Sequence, residues 1–488
     1  MNMDGNERER TLTGRLCERR VSREISGDFV IPDSQPEARR VLAVTERVLP
    51  PAKYVGASSV ECNGTVDYRV LYLGVDGELW GACFSSEYEL EAPIEEGEAD
   101  ISGGTSSLVS IRCDGSTARL NAGRRLNLKS RLFADIRAYG EIDSGLSYKD
   151  GDETVQMRYQ RTKCGRLVSG SSDAIELSEE VSGLYADSRV ISAESLAYVN
   201  DLRKGSDQLV ASGEVTVKLL VCREGQRAET LTKKIPFEGT VEFGEPIGGA
   251  DCRAECAVTD LAVNVGEGSA LCTLSAVITA VAAENADVSY VSDAYALDRE
   301  CECERVEALS PTVALCSSGN FSQSERIALS DTEIPEGARL VDMWGRVSFD
   351  GCEYNGRYEL SGKSRYAFLW EKEGDYGVAE LELPVRYIAE GDAVTEPVPF
   401  VSADIISCRG RIDGELVRID AEIGVSADVV GSESVSFVGD LRFGEPLDKE
   451  KNRMVVYYPT PDETPWDVAK KYHVPADSLA EEKNYYLF

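Results

Sequence analysis

NGTVDYRVLYLGVDGELWGACF, residues 63–84, decides how this chain folds. Val66, Tyr68 and Val70 alternate with Asp67 and Arg69, the period-2 signature of a strand with one buried face. Asp76-Gly77 interrupts the run, and an acidic-Gly pair supplies the positive backbone angles of a tight hairpin turn. A second apolar run follows, so the stretch predicts a β-hairpin.

Two further stretches repeat the pattern. SGEVTVKLLVCREGQRAETLTKKIPF begins at Ser212, and SGKSRYAFLWEKEGDYGVAELELPV begins at Ser361. The lead glycines stand at positions 64, 213 and 362, 149 residues apart each time. The acidic-Gly turns, Asp76-Gly77, Glu224-Gly225 and Glu373-Gly374, hold the same register within one residue. Farther on, each copy has another alternating run: LNLKSRLFADIRAY from Leu126, LCTLSAVITAVAA from Leu271 and LVRIDAEIGVSADVV from Leu416.

A domain that opens with strands, makes a central hairpin and closes with a long strand predicts a β-sandwich or open barrel. The expected fold class is mainly β: three repeated domains over 10–145, 155–295 and 300–435, then a small α/β module over 453–488. GEIDSGLSYKDGDE reads as a polar linker after the first copy, and DLRFGEPLDKEKNRM as the connector to the tail. Residues 1–9 read as a short disordered leader.

Length and composition agree. At roughly 100 to 200 residues per domain, 488 residues suggest about three or four domains. Fifty-two basic against 86 acidic side chains give a net charge of −34, which repels phosphate backbones and anionic lipid surfaces. Nucleic acid is thereby disfavoured as a partner; a basic protein or a neutral ligand fits better, and acid on solvated strand faces also serves solubility. No run reaches the 18 apolar residues of a membrane span, and the first residues lack the apolar core of a signal peptide. The expected location is the cytosol.

The 14 cysteines are scattered through strand-like runs without a CxxC pair. Cys252/Cys256 and Cys301/Cys303 have no second half at zinc-ligand spacing, so no metal is expected and the thiols read as small buried hydrophobes. The sequons at Asn63 and Asn320 carry no weight without secretion. One histidine, His473, would have to serve any Ser-His-Asp or Cys-His scheme, and at a helix end it reads as a cap or a solvated ring. Val-Gly-Glu-Gly at 265–268 lacks a Walker lysine and reads as a hairpin turn. Among so many acids no glycosidase pair stands out. No catalytic residues and no cofactor are expected, and the chain reads as a non-enzyme.

The run before the first hairpin, REISGDFVIPDSQPEARRVLAVTERVLPPAKYVGASSVEC, has Val30-Ile31-Pro32, then Gln35-Pro36-Glu37, then ARRVL read as a short helix. This resembles the SPOCS domain, the repeated module of SipL-type spore-coat morphogenetic proteins. The likeness covers about residues 20–140; copies two and three share chiefly the hairpin and closing strand. Copy three keeps Ile334-Pro335-Glu336, whereas copy two has no visible counterpart.

The tail, VVYYPTPDETPWDVAKKYHVPADSL and onward, looks like a LysM module, with Pro461, Thr464, Trp466, Ala469 and Tyr472 at matching positions. Thr464 suits an N-cap, Pro465 the first helical position, and Asp467 an approximate capping box. His473-Val474-Pro475 should end the helix. Departures from LysM are Asp462-Glu463 in the first loop and an early stop at Asn484–Phe488, an abbreviated strand. The resemblance implies a non-enzymatic scaffold in spore-coat assembly, in the mother-cell cytosol at the forespore surface. Its implied partners are a SpoIVA-like ATPase and other coat proteins. The alternative is peptidoglycan binding through the tail. Residues carried to either role are Asp462, Glu463, Thr464, Trp466, Lys470 and Tyr472. Trp466 and Tyr472 could stack on a sugar or fill the module's own core, and Lys470-Lys471 could meet an acidic partner or simply be solvated.

Overall fold

The computed structural model describes residues 11–94, 105–143, 154–185, 187–223, 226–448, 456–458, 460, 462–482 and 485–487. The Glu224-Gly225 turn, most of the 140–153 linker, the 1–9 leader, Pro461, Asn484 and Phe488 lie outside the described residues.

Up to Pro446 the described residues are almost wholly antiparallel β, and the strands fall into a recurring order. The first set is β1 (Thr11–Val30), β2 (Ala38–Val48), β3 (Ala52–Val55), β4 (Ser59–Gly74), β5 (Leu79–Pro93), β6 (Thr105–Ala122) and β7 (Arg125–Asp143). The second is β8 (Val155–Ser171), β9 (Ile175–Ser182), β10 (Ser188–Lys204), β11 (Gln208–Arg223), β12 (Glu229–Glu242), β13 (Asp251–Val265) and β14 (Ser269–Ala296). The third is β15 (Arg299–Ala328), β16 (Arg339–Tyr354), β17 (Tyr358–Lys372), β18 (Asp375–Ala389), β19 (Val398–Asp413) and β20 (Leu416–Pro446).

In each set the opening strand pairs with the closing strand, which pairs with the penultimate one: β1-β7-β6, β8-β14-β13 and β15-β20-β19. The intervening hairpin makes a second sheet: β2-β4-β5, β10-β11-β12 and β16-β17-β18. Apolar faces of the paired sheets enclose a core, for example Val66, Tyr68 and Val70 against Leu128, Leu132 and Ala134. A single bridge, Glu242 to Ser171, joins the two sheets of the middle set.

The hairpin turns follow the residues. Lys372 pairs with Asp375, and between them Glu373 (φ 54°) and Gly374 (φ 84°) both take the left-handed conformation of a two-residue turn. The lead glycines have another cause. Gly213 pairs with Val199 where β10 bulges at Asn200, and Gly362 pairs with Phe349 where β16 bulges at Asp350. In the first set Pro50-Pro51, between β2 and β3, takes the bulge position near Gly64. A Cβ on these glycines would come 2.7 Å from Tyr88 Cζ, 2.9 Å from Phe237 Cζ and 2.7 Å from Phe349 Cα respectively.

Three features differ from the sequence reading. ARRVL is not helical: Ala38–Val48 is strand β2, paired to β4. Register shifts at Ala38/Arg40 and Val41/Ala43 add residues that break the two-residue alternation and imitate a helical spacing. Asp440–Pro446 is not a connector, because β20 runs through it with Leu441 buried and Arg299 paired to Pro446. The stretch between the opening strand and hairpin, which holds Pro32 and Pro335 in sets one and three, contains strand β9 in the middle set, added to the edge of β14.

The three sets pack together. Leu71, Leu220 and Leu369, one from each hairpin, lie in a single buried cluster with Leu73, Cys222 and Trp344. Ion pairs cross the same junction, Arg69 with Glu194 and Lys218 with Asp342 at 2.9 Å, and Lys218 also pairs with Glu194 of its own set at 3.2 Å. The Arg69 guanidinium also sits 5.2 Å from the centre of the Trp344 ring. Arg189 from the middle set lies 3.3 Å over Trp80 of the first.

Candidate functional site

The tail is a separate small element: β21 (Val456–Tyr457), α1 (Pro465–Tyr472), a 3-10 turn at Ala476–Ser478, β22 (Ala480–Glu482) and β23 (Tyr485–Leu487). β23 is the middle strand, paired with β21 and β22, so the abbreviated final strand expected near 484–488 forms over Tyr485–Leu487. Thr464 caps α1 as the sequence implies. Its hydroxyl accepts from Asp467 N, and Asp467 Oδ2 accepts from Thr464 N at 2.8 Å, a complete capping box. His473, at φ 49°, closes the helix in the left-handed conformation, and Pro475 follows.

The six residues proposed for a binding face make different contacts. Trp466 donates its indole N–H to Asp293 Oδ2 at 2.9 Å and meets the Tyr295 ring edge-on at 5.0 Å. Lys470 Nζ reaches Asp293 Oδ1 at 2.6 Å. Two neighbouring bonds extend the contact: Tyr295 OH donates to Val474 O at 2.7 Å, and His473 Nδ1 lies 2.8 Å from Ala296 O. One end of β14 therefore holds the face that carries Trp466 and Lys470. Burial pushes the Asp293 carboxyl up, but the bonds from Lys470 and Trp466 outweigh it and hold the group below its usual range.

The other residues are placed differently. Tyr472 packs edge-on against Tyr457 at 5.4 Å inside the module. Glu463 accepts from Tyr457 OH at 2.8 Å and from Thr460 N at 2.8 Å, stapling the loop before the helix. Thr464 is the cap, and Asp462 is exposed in the preceding turn. Lys471, not Lys470, faces outward, with Nζ 4.7 Å over the Tyr457 ring. Asp293, Tyr295 and Ala296 were not singled out from sequence, since nothing in SDAYAL marks a strand end that receives a helix 170 residues away.

A second site lies where the three strand sets converge: a cavity of about 1310 Å³. Each set contributes corresponding pieces, namely the bulged part of its second strand, its penultimate strand and its closing strand. Arg253 on β13 spans the junction, giving Nε and Nη2 to Asp428 at 2.8 and 2.5 Å and Nη1 to Glu255 at 2.6 Å. Arg346 pairs with Glu46, whose carboxyl is pushed up by burial against the pull of that arginine.

Every thiol whose pKa shifts moves upward through burial, Cys113 to about 11 and Cys256 and Cys408 to about 12. Among the described residues no group of three or more His, Cys, Asp or Glu is placed to hold a metal, and no helix is long and apolar enough to cross a membrane. No protein-family model matches the chain, no curated protein matches it, and no solved structure matches its fold.

Proposed function

We propose that this chain is a non-enzymatic scaffold of the SipL type: three tandem SPOCS-like β-domains and a LysM-like tail that links spore-coat components to the forespore surface. The observation that carries the reading is the threefold recurrence of one strand order, at the 149-residue period of the hairpins, followed by a strand–helix–strand tail. Upward-shifted thiols and a histidine bonded to a backbone carbonyl support a binding role over catalysis.

The tail contacts favour protein docking over sugar binding. Trp466, the aromatic best suited to stacking on a glycan ring, lies against Tyr295 and Asp293. The exposed residues of the module include Tyr458, at 70% exposure, Asp462 and Lys471. A pull-down from sporulating cells with and without residues 453–488 tests this reading. Coat proteins, among them the SpoIVA-like ATPase, should come down with the full chain only. Sedimentation of the full chain with purified peptidoglycan, lost on removing the tail, would replace it with the glycan reading.

A further inference from the structure

The contact between the tail and β14 has the form of a receptor closed on a short peptide. The tail groups come from one helix and the residues just past it: Trp466, Lys470, His473 and Val474. Positions 466, 470 and 473 are spaced i, i+4 and i+7, so they line one side of α1 and its end. The strand groups come from four consecutive residues, Asp293 to Ala296. Asp293 takes one bond on each oxygen, from Lys470 Nζ at 2.6 Å and from Trp466 Nε1 at 2.9 Å. Tyr295 gives its ring to the indole and its hydroxyl to Val474 O, and Ala296 O lies 2.8 Å from His473 Nδ1.

The strand end is turned for this contact. The register of β14 on β8 shifts between Val291 and Asp293, a bulge at Ser292, and bulges re-aim side chains. Beyond it Ala294 faces inward, in an apolar cluster with Val155, Val291, Val438 and Leu441. Asp293 and Tyr295, two residues apart, share the opposite face and meet the tail. Two observations mark the contact as exchangeable. Val468 and Ala469, the buried residues of α1, belong to none of the apolar clusters of the strand sets. Trp466 and Lys470 both keep part of their surface in water. Asp293 also has a second cation, Arg305 Nη2 on β15 at 3.7 Å, so its charge keeps a partner when Lys470 departs.

We propose that this side of α1 is a peptide-reading site, that the end of β14 occupies it as a tethered ligand, and that a partner protein displaces β14 by offering the same chemistry. That chemistry is an extended segment with a carboxylate, a tyrosine two residues on and a free backbone carbonyl after it. Because β14 competes from within the chain, the partner's apparent affinity falls by the fraction of chains whose tail is undocked. The proposal rests on the docking reading of the tail and names the surface and ligand class of that docking.

Fluorescence anisotropy of a labelled, end-capped peptide with the sequence of residues 291–297, VSDAYAL, titrated with full chain tests it. The peptide should bind the Asp293→Ala chain at least tenfold more tightly than the unsubstituted chain. The same peptide with Asp293→Asn or Tyr295→Ala should lose about tenfold, and so should the original peptide on a chain carrying Asp293→Ala with Lys470→Ala. Amide exchange over 465–472 checks that the helix persists. Tyr295→Phe, which removes the hydroxyl that bonds Val474 O, is a second opened chain and should bind the peptide with intermediate affinity. Absence of saturable binding to both opened chains overturns the proposal. So does equal binding by opened and unsubstituted chains, and so does binding indifferent to the peptide's aspartate and to Lys470. Such a failure beside tail-dependent capture of the ATPase overturns this surface and leaves the docking reading in place.

Discussion

At the residue scale, Gly64, Gly213 and Gly362 connect sequence and fold most tightly. Their spacing revealed the repeat, but their reason is local: a bulge or proline pair on the neighbouring strand brings the backbone or an aromatic ring into the space of a Cβ. Gly213→Ala should therefore destabilise the chain by about 1–3 kcal/mol in chemical denaturation, the usual cost of forcing atoms into a packed site. Gly248→Ala, where no atom lies within 4 Å of the added carbon, should be close to neutral.

Glu194 is the second informative residue. Burial works against its charge, yet Arg69 and Lys218 hold its carboxyl below the usual range. A depressed carboxyl contributes stability above the unfolded-state pKa and loses it as pH falls through the folded one. Glu194→Gln should cost about 3 kcal/mol near neutral pH, because Arg69, almost wholly buried, loses its carboxylate partner. The deficit should shrink on acidification below the ordinary glutamate range. A deficit independent of pH would show that packing, not charge, is what Glu194 supplies.

At the element scale, the helix α1 was legible and its surroundings were not. Cap, first proline and stop are adjacent in sequence, so local rules found them. The docking of Trp466 and Lys470 onto Asp293 joins residues more than 170 apart, and no periodicity encodes it. Strand β2 failed for the opposite reason: its two register shifts wrote a false helical spacing into ARRVLAV. One available signal went unused. VLYL, LLVC and AFLW, in register within one residue in three hairpins, abandon alternation because both faces are buried there, one in the sandwich and one in the shared cluster.

The tail yields two predictions. Thr464→Ala should reduce the stability of the module by about 1 kcal/mol, read as faster amide exchange over 465–472. Asp293→Ala should free the module from β14, changing Trp466 fluorescence and exposing the tail to proteolysis while the rest of the chain still melts as before. Since the Asp293 carboxyl is depressed, the same release should occur in the unmodified chain when pH falls below the ordinary aspartate range, and not when it rises.

At the scale of the whole molecule, the shared cluster of Leu71, Leu220 and Leu369, the crossing ion pairs and the central cavity describe three strand sets packed as one body. A compact chain of this length has a radius of gyration of about 23 Å, and solution scattering should return a value near it. A string of separate domains would give a clearly larger one. A packed body whose last module is held at one end of β14 is a suitable form for an adaptor, presenting several surfaces in fixed relation.

The central claim, that the tail docks a coat protein and not a glycan, is tested most directly by one binding experiment. Purified full chain and a chain lacking residues 453–488 are each titrated against the SpoIVA-like ATPase, with peptidoglycan sedimentation in parallel. The account predicts that the full chain binds the ATPase, that the shortened chain loses at least tenfold in affinity, and that neither sediments with peptidoglycan. Equal binding by both chains, or tail-dependent sedimentation with peptidoglycan, would contradict it.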